Sequence, residues 1–183
     1  MQKALFLDRD GVINQEVGYL YQSNDVTFVD GIFSLCYVAQ NLGYKLIVVT
    51  NQSGIARGLY SAAQFEALMD WFRAEFRGCG IALTAVYHCP FHPEHGVGEY
   101  KRESEDRKPS PGMLRRAAVD HDLDLTQSIL VGDRCSDIAA ANAADLRHAF
   151  LIAGTETKPC SSNFQPVQTL AEVESWLRTH HSS

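Results

Sequence analysis

Two aspartates stand one residue apart near the head of the chain, in the run Leu5-Phe6-Leu7-Asp8-Arg9-Asp10-Gly11-Val12-Ile13-Asn14. Three apolar residues lead straight into the acids and a glycine follows, the pattern of a buried strand ending at a sharp loop. Side chains alternate along extended backbone, so Asp8 and Asp10 are expected on one face and Arg9 on the other. Two carboxylates facing one space repel unless a cation neutralises them or one stays protonated. Both conditions suit phosphoryl transfer. One aspartate would attack phosphorus to form an aspartyl-phosphate, the other would give a proton to the leaving oxygen, and magnesium would bridge acid and phosphate. A surface Asp-Gly turn is the plainer reading, and the apolar run before it argues against that.

Other strand ends carry polar groups. Residues 45–50 read as a second strand that stops at Asn51-Gln52-Ser53-Gly54-Ile55-Ala56-Arg57-Gly58. This loop has the composition of a phosphate cradle without the spacing of a P-loop. Thr50 and Asn51 can donate to a phosphoryl group, although the loop taken alone reads as an ordinary strand-to-helix turn. Residues 83–88 form a third strand, and 128–131 a fourth that ends in Gly132-Asp133-Arg134-Cys135-Ser136-Asp137. Residues 147–152 form a fifth.

The elements between them follow from periodicity. Ile32, Leu35, Cys36, Ala39 and Leu42 mark a helix closed by Gly43, and residues 15–30 before it form a loop beside the site. Ser61 and Gln64 make a capping box for a helix carrying Phe65, Leu68, Met69, Phe72 and Phe76. Pro111-Gly112 opens a helix through His121, and an alanine-rich helix follows Asp137. Thr169 and Glu172 cap a last helix, after which residues 180–183 are expected to fray.

Strands alternating with helices predict a mostly parallel sheet covered on both faces, a Rossmann-like three-layer α/β sandwich with no large cap domain. Residues 1–183 are expected to form one domain with a loop insert over about 89–110, where Pro90, Pro93, Gly96, Gly98 and Pro109 interrupt any period. All strand ends of a parallel sheet point one way, so Asp8, Asp10, Thr50, Asn51 and Asp133 should gather on one rim, with Lys108 able to join them. Three acids, two neutral donors and a lysine are what a phosphoryl group and magnesium require.

On these residues the chain resembles the haloacid dehalogenase superfamily of phosphatases. Asp8-Arg9-Asp10-Gly11 matches its DxDG motif, Thr50 the second-motif threonine, Lys108 the third-motif lysine, and Gly132 to Asp137 the GDxxxD motif. More narrowly, the first motif, the run from Thr50 to Gly58 and Arg107-Lys108-Pro109 are similar to those of the D-glycero-D-manno-heptose 1,7-bisphosphate 7-phosphatases. The resemblance implies that Asp8 is the nucleophile and Asp10 the general acid and base, with Thr50 and Lys108 holding the phosphoryl group. It implies magnesium on Asp8, the Asp10 backbone carbonyl and Asp133, with Asp137 orienting that shell. It implies further that Arg107 takes the second phosphate, while Glu16, Val17, Gly18, Tyr19, Asn51, Gln52, Ser53 and Arg134 line the sugar pocket. The expected setting is ADP-heptose and lipopolysaccharide biosynthesis.

Such enzymes often carry a structural zinc in the insert, on a CxH pair and a later CxC pair. Cys89 is present here, but Phe91, Ser104 and Asp106 stand at the other positions. A tetrahedral site needs all four, so no zinc is expected there. A rebuilt site on Cys89, His92 and His95 has compatible spacing, and packing of Phe91, Val97 and Tyr100 is the expected alternative source of order.

Composition bounds the partners. A net charge of -6 and a pI near 5.6 argue against nucleic acid, which needs a basic face. No apolar run approaches a membrane span and no basic-then-apolar leader precedes the first strand, so a cytoplasmic monomer acting on a small sugar phosphate is expected. Five scattered cysteines without a CxxC pair predict mostly reduced thiols. Two other functions compete. Histidinol-phosphate phosphatase shares DxDG and Arg-Lys-Pro, and the Gln-Ser-Gly-Ile-Ala-Arg-Gly run discriminates against it. A non-catalytic sugar-phosphate-binding protein on the same fold predicts a damaged acid set, whereas Asp8, Asp10, Lys108 and Asp133 are intact.

Overall fold

In the computed structural model, residues 1–154, 159–161 and 163–180 are described. Six strands, β1 (Lys3–Leu7), β2 (Tyr44–Asn51), β3 (Leu83–Cys89), β4 (Ile129–Gly132), β5 (His148–Ile152) and β6 (Gln165–Val167), form one sheet in the order β3-β2-β1-β4-β5-β6. Every neighbouring pair is parallel. The helices are α1 (Ile32–Asn41), α2 (Ser53–Ala56), α3 (Ala62–Gly78), α4 (Gly112–His121), α5 (Cys135–Ala143) and α6 (Leu170–His180).

Alternation along the strands builds two cores. Leu5, Leu7, Leu46, Val48, Ile129 and Val131 pack with the apolar stripes of α1, α3 and α6. Ala4, Phe6, Ile47, Val49 and Leu130 pack on the other face with Met113, Leu114 and Ala117 of α4 and Ile138 and Ala141 of α5. A sheet buried on both faces needs near-continuous apolar strands, which is why the inner strands were legible as hydrophobic runs. None of the described helices is long and apolar enough to cross a membrane.

Two features go beyond what the sequence predicts. The sheet has a sixth strand, β6, whose three residues are too few to show a period; Pro166 cannot donate to a ladder and sits on the edge. Cys135 and Cys160 are joined in a disulfide across 25 residues of sequence, while Cys36, Cys79 and Cys89 are free thiols. No spacing rule announces that pair: the start of α5 meets the segment after β5 only once the sheet is assembled. Of the terminus expected to fray, His180 ends α6 and residues 181–183 lie outside the described residues.

The insert after β3 is ordered by polar and aromatic contacts. The Arg102 guanidinium lies 3.7 Å over the Phe91 ring, the His92 amide donates to Tyr100 O (3.1 Å), and the Val97 amide ties the insert to Ala56 O (2.8 Å). Phe91 and Tyr100 pack on the two cores as expected, but the Val97 side chain is exposed. His92 Nδ1 accepts from the amides of Glu94 and His95, and Asp106 pairs with Arg116 at 2.5 Å. Cys89, His92 and His95 form no metal-holding group among the described residues.

Candidate active site

From β1 the chain runs outward through β2 to β3, and from β4, beside β1, it runs the other way through β5 to β6. The reversal between β1 and β4 opens a crevice outside the carboxyl ends of the strands, where an α/β sheet holds its ligands. A cavity of about 550 Å³ occupies it, and Asp8, Asp10, Thr50 and Lys108 all line it.

The first-motif loop builds one wall. β1 ends at Leu7, and the Asp8 amide still donates to Val131 O (3.0 Å), which holds it against β4. The Arg9 carbonyl then accepts from the amides of Val12, Ile13 and Asn14, closing a tight turn. Because the strand has already ended, strict alternation does not extend to Arg9. Its side chain is not turned away but is buried, donating to both carboxylate oxygens of Asp10 (2.8 and 2.9 Å) and to Leu20 O (3.2 Å). Asn14 and Gln52 also donate to Asp10, at 3.0 and 3.3 Å, so its carboxylate is fixed from three sides.

Gly11 makes this wall possible. It has φ of +85°, and a Cβ there would lie 2.2 Å from Asp133 Oδ2. We expect Gly11→Ala to lower stability by roughly 1–3 kcal/mol from backbone strain alone, and, by displacing Asp133, to erase any stabilisation by magnesium. Thermal unfolding with and without magnesium reads both; a variant that keeps the native magnesium response would remove Asp133 from the site.

Oxygens of Asp8, Asp133 and Asp137 lie within 4.8 Å of one another, and all three residues are buried. Lys108 Nζ reaches Asp8 Oδ1 at 2.9 Å, Asp137 Oδ1 at 2.5 Å and the Val49 carbonyl at 2.9 Å. The other Asp137 oxygen accepts from the amides of Asp133 and Arg134 (3.2 and 3.0 Å), which caps α5. Asp137 is thus committed to holding Lys108 and the loop. Burial raises the Asp8 carboxyl well above the usual range, Lys108 opposes this, and Asp137, Asp133 and Asp10 add to it. Burial pulls Lys108 down, but Asp137 and Asp8 outweigh it and the net shift is upward. Burial is thus the main cause for Asp8 and the neighbouring acids for Lys108, and the acids outnumber the cations: Asp8, Asp10, Asp133 and Asp137 face Arg9 and Lys108, and Arg134 is matched by Glu16 at 3.0 Å. An all-oxygen donor set with two surplus negative charges fits a hard divalent cation such as magnesium, not a metal that favours sulfur or imidazole.

The opposite wall comes from β2. Thr50 and Gln52 are buried and line the cavity with Ser53. Asn51 lines it too, but its amide group is spent on Lys108: Nδ2 donates to Lys108 O and Oδ1 accepts from Lys108 N, both at 3.0 Å. It therefore clamps the third-motif backbone while standing at the wall where the sugar is expected.

Of the residues expected to surround the sugar, Glu16, Gly18, Tyr19, Gln52, Ser53, Arg107 and Arg134 line the cavity. Val17 does not; it is 55% exposed beside them. Arg107 is half-buried, donates to Phe91 O (3.2 Å), and has its pKa lowered, chiefly by that burial. Tyr60 and Ser136 line the cavity without having been foreseen. Ser136 lies inside the GDxxxD run and was open to notice; Tyr60 follows the second-motif loop, where nothing in its type or spacing marks it.

Comparison with known proteins agrees with this architecture. Residues 106–174 match a family model described as "HAD-hyrolase-like". Over 150 residues the chain is 53% identical to D-glycero-alpha-D-manno-heptose-1,7-bisphosphate 7-phosphatase of Burkholderia mallei, covering 82% of this chain and 79% of the relative. It is 44% identical to D-glycero-beta-D-manno-heptose-1,7-bisphosphate 7-phosphatase of Vibrio cholerae, with coverage of 81% and 80%. The crystal structure of D,D-heptose 1,7-bisphosphate phosphatase from B. bronchiseptica, complexed with magnesium and phosphate, superposes with a TM-score of 0.80 at 28% identity, covering 97% of this chain and 98% of that one.

Proposed function

Since the chain belongs to the heptose 1,7-bisphosphate 7-phosphatase family of HAD-like hydrolases, we propose that it removes the C7 phosphate of a D-glycero-D-manno-heptose 1,7-bisphosphate, as a step toward ADP-heptose. The observation that carries this reading is the meeting of Asp8 with Asp133 and Lys108 beside a cavity lined by Asp8, Asp10, Thr50, Lys108 and Arg107.

The chemistry follows from which atoms are committed. Lys108 and the Arg9 amide (2.8 Å) both take Asp8 Oδ1, which leaves Oδ2 to attack phosphorus. The bond from phosphorus to the C7 oxygen breaks, and Asp10 gives that oxygen a proton. Asp10, now a carboxylate, deprotonates the water that hydrolyses the aspartyl-phosphate and so regains its proton. Thr50 donates to the phosphoryl oxygens. Lys108 has spent its three donors on Asp8, Asp137 and Val49, so it serves by its charge and by fixing Asp8. A magnesium ion held by Asp8, the Asp10 carbonyl and Asp133 would supply the positive charge that the acids and phosphate together lack. Asp137 supports that shell from behind.

Arg107 carries recognition of the second phosphate in this reading, because a half-buried guanidinium at the cavity wall suits a dianion. We expect Arg107→Ala to raise KM for the bisphosphate by about tenfold or more, in keeping with loss of one charge-assisted pair, while KM for the heptose 7-monophosphate changes little. Equal effects on both would remove Arg107 from recognition.

The reading also includes a cytoplasmic, monomeric enzyme whose insert is held without structural zinc, supported by the Arg102–Phe91 contact and the commitment of His92 Nδ1 to backbone amides. In a reducing setting Cys135 and Cys160 would stand as two thiols. The test is phosphate release with magnesium from both anomers of heptose 1,7-bisphosphate and from histidinol phosphate. Preference for one heptose anomer supports the proposal and names the branch. Release from histidinol phosphate alone would keep the mechanism and overturn the substrate.

A further inference from the structure

Tyr60 has no role in the chemistry above, yet it is 6% exposed, lines the cavity and sends its hydroxyl into the catalytic wall. That hydroxyl contacts Gln52 Oε1. At its other end, Gln52 Nε2 donates to Thr50 Oγ1 at 2.8 Å and to Asp10 Oδ2 at 3.3 Å. The amide turns its NH2 toward Thr50 and Asp10 and its carbonyl oxygen toward Tyr60. Tyr60 is then the donor, and burial, its main perturbation, pushes its pKa up to about 12, so the proton stays on. Thr50 Oγ1, having accepted from Gln52, keeps its own proton for another acceptor.

The chain makes room for this contact. A Cβ at Gly54 would lie 2.1 Å from Tyr60 Cε1, so the tyrosine ring seats over the glycine of the second-motif loop. Its outer face stacks on Tyr21, with ring centroids 5.5 Å apart and planes 16° apart. Phenylalanine would satisfy both contacts equally well. Packing therefore accounts for the ring but not for the hydroxyl.

We propose that Tyr60 is a positioning residue for phosphoryl transfer, its hydroxyl holding the Gln52 amide so that Thr50 presents its proton to the phosphoryl group and Asp10 is fixed for proton transfer. The inference rests on the phosphatase reading for its consequence and on the Tyr60–Gln52–Thr50 geometry for its substance. The share that runs through Thr50 falls on the phosphoryl group common to all substrates, whereas the share that runs through Asp10 falls on the leaving oxygen and grows with that oxygen's need for a proton.

The test is Tyr60→Phe, which keeps the ring and removes only the donor. We expect kcat to fall by about tenfold, less than the 10²–10³ seen for removal of a donor that touches the reacting group, while KM moves less than about twofold. The fall should appear with p-nitrophenyl phosphate, whose leaving group needs no proton, and be at least as large with the heptose bisphosphate. In a Gln52→Ala background, Tyr60→Phe should cost less than about twofold further, because the path through Gln52 is already cut. In ¹H–¹⁵N spectra with magnesium present, Tyr60→Phe should move the side-chain NH2 pair that Gln52→Ala deletes. Native kcat in Tyr60→Phe, losses that multiply in the double variant, or an unmoved Gln52 NH2 pair would each overturn the inference. If the native chain released phosphate from no ester, the functional reading would fail, and the spectra would still decide whether Tyr60 holds Gln52.

Discussion

Asp8→Asn is expected to fold, to bind the bisphosphate and to release no phosphate above background. The side chain keeps its shape and its carbonyl oxygen can still accept from Lys108, which lies 2.9 Å from Asp8 Oδ1. What it loses is the nucleophile: an amide cannot form the acyl phosphate, and removing a covalent nucleophile costs at least about 10⁴-fold in kcat. Stability should move the other way. Asp8 is buried among Asp10, Asp133 and Asp137, and burial makes its ionised form costly. Neutralising it reduces the surplus negative charge from two to one, so the variant should unfold at a higher temperature than the native chain when magnesium is withheld. Phosphate release and thermal unfolding read the two effects. Turnover at the native rate would sink the nucleophile assignment, and a lowered melting temperature would sink the charge count.

Lys108→Met should lose on both counts. Methionine matches the lysine stem in length and apolar volume, so the change isolates the ammonium. That ammonium holds Asp8 and Asp137, and both acids and the lysine are buried. Removing one partner of a buried ion pair typically costs about 3–5 kcal/mol. The lower end is expected here, because burial already favours protonation of Asp8. With Asp8 no longer fixed and a positive charge gone from beside the phosphoryl group, kcat should fall by at least about 10²–10³. Calorimetry and single-turnover phosphate release check the pair of effects. A variant with the native melting temperature would show that Lys108 is not the counter-charge of the acid cluster. The opposite signs expected for Asp8→Asn and Lys108→Met distinguish this electrostatic account from one in which either substitution merely damages packing.

Much of this site was written locally. The apolar run before Asp8 and the one before Thr50 are buried on both faces because the sheet is covered on both, and such strands declare themselves by composition. Their ends must then share a rim, because parallel strands place all their carboxyl ends together. Strand burial and parallel order therefore suffice to place Asp8, Asp10, Thr50 and Asp133 together, and the matching motifs add Lys108, Arg107 and the sugar-facing loop.

The departures have a common form. Arg9 was assigned outward by alternation, but alternation holds only while the strand lasts, and β1 stops at Leu7. Asn51 and Gln52 line the cavity as the motifs implied, and their amides are besides engaged within the wall, one clamping Lys108 and the other linking Tyr60 to Thr50, which no spacing announces. β6 is three residues long, and the Cys135–Cys160 bond joins segments brought together by the β4–α5–β5 crossover.

By itself, then, the sequence determined which groups stand at strand ends and therefore what chemistry the rim can perform, because strand burial and the i, i+2 acid spacing are local properties. Only the tertiary structure decided which of those groups face the ligand and which are spent holding one another. A hydrogen-bond donor has the same chemistry whether its partner is a substrate or a neighbouring side chain, and the choice between them depends on distances across the β1–β4 crevice that no short stretch of chain contains.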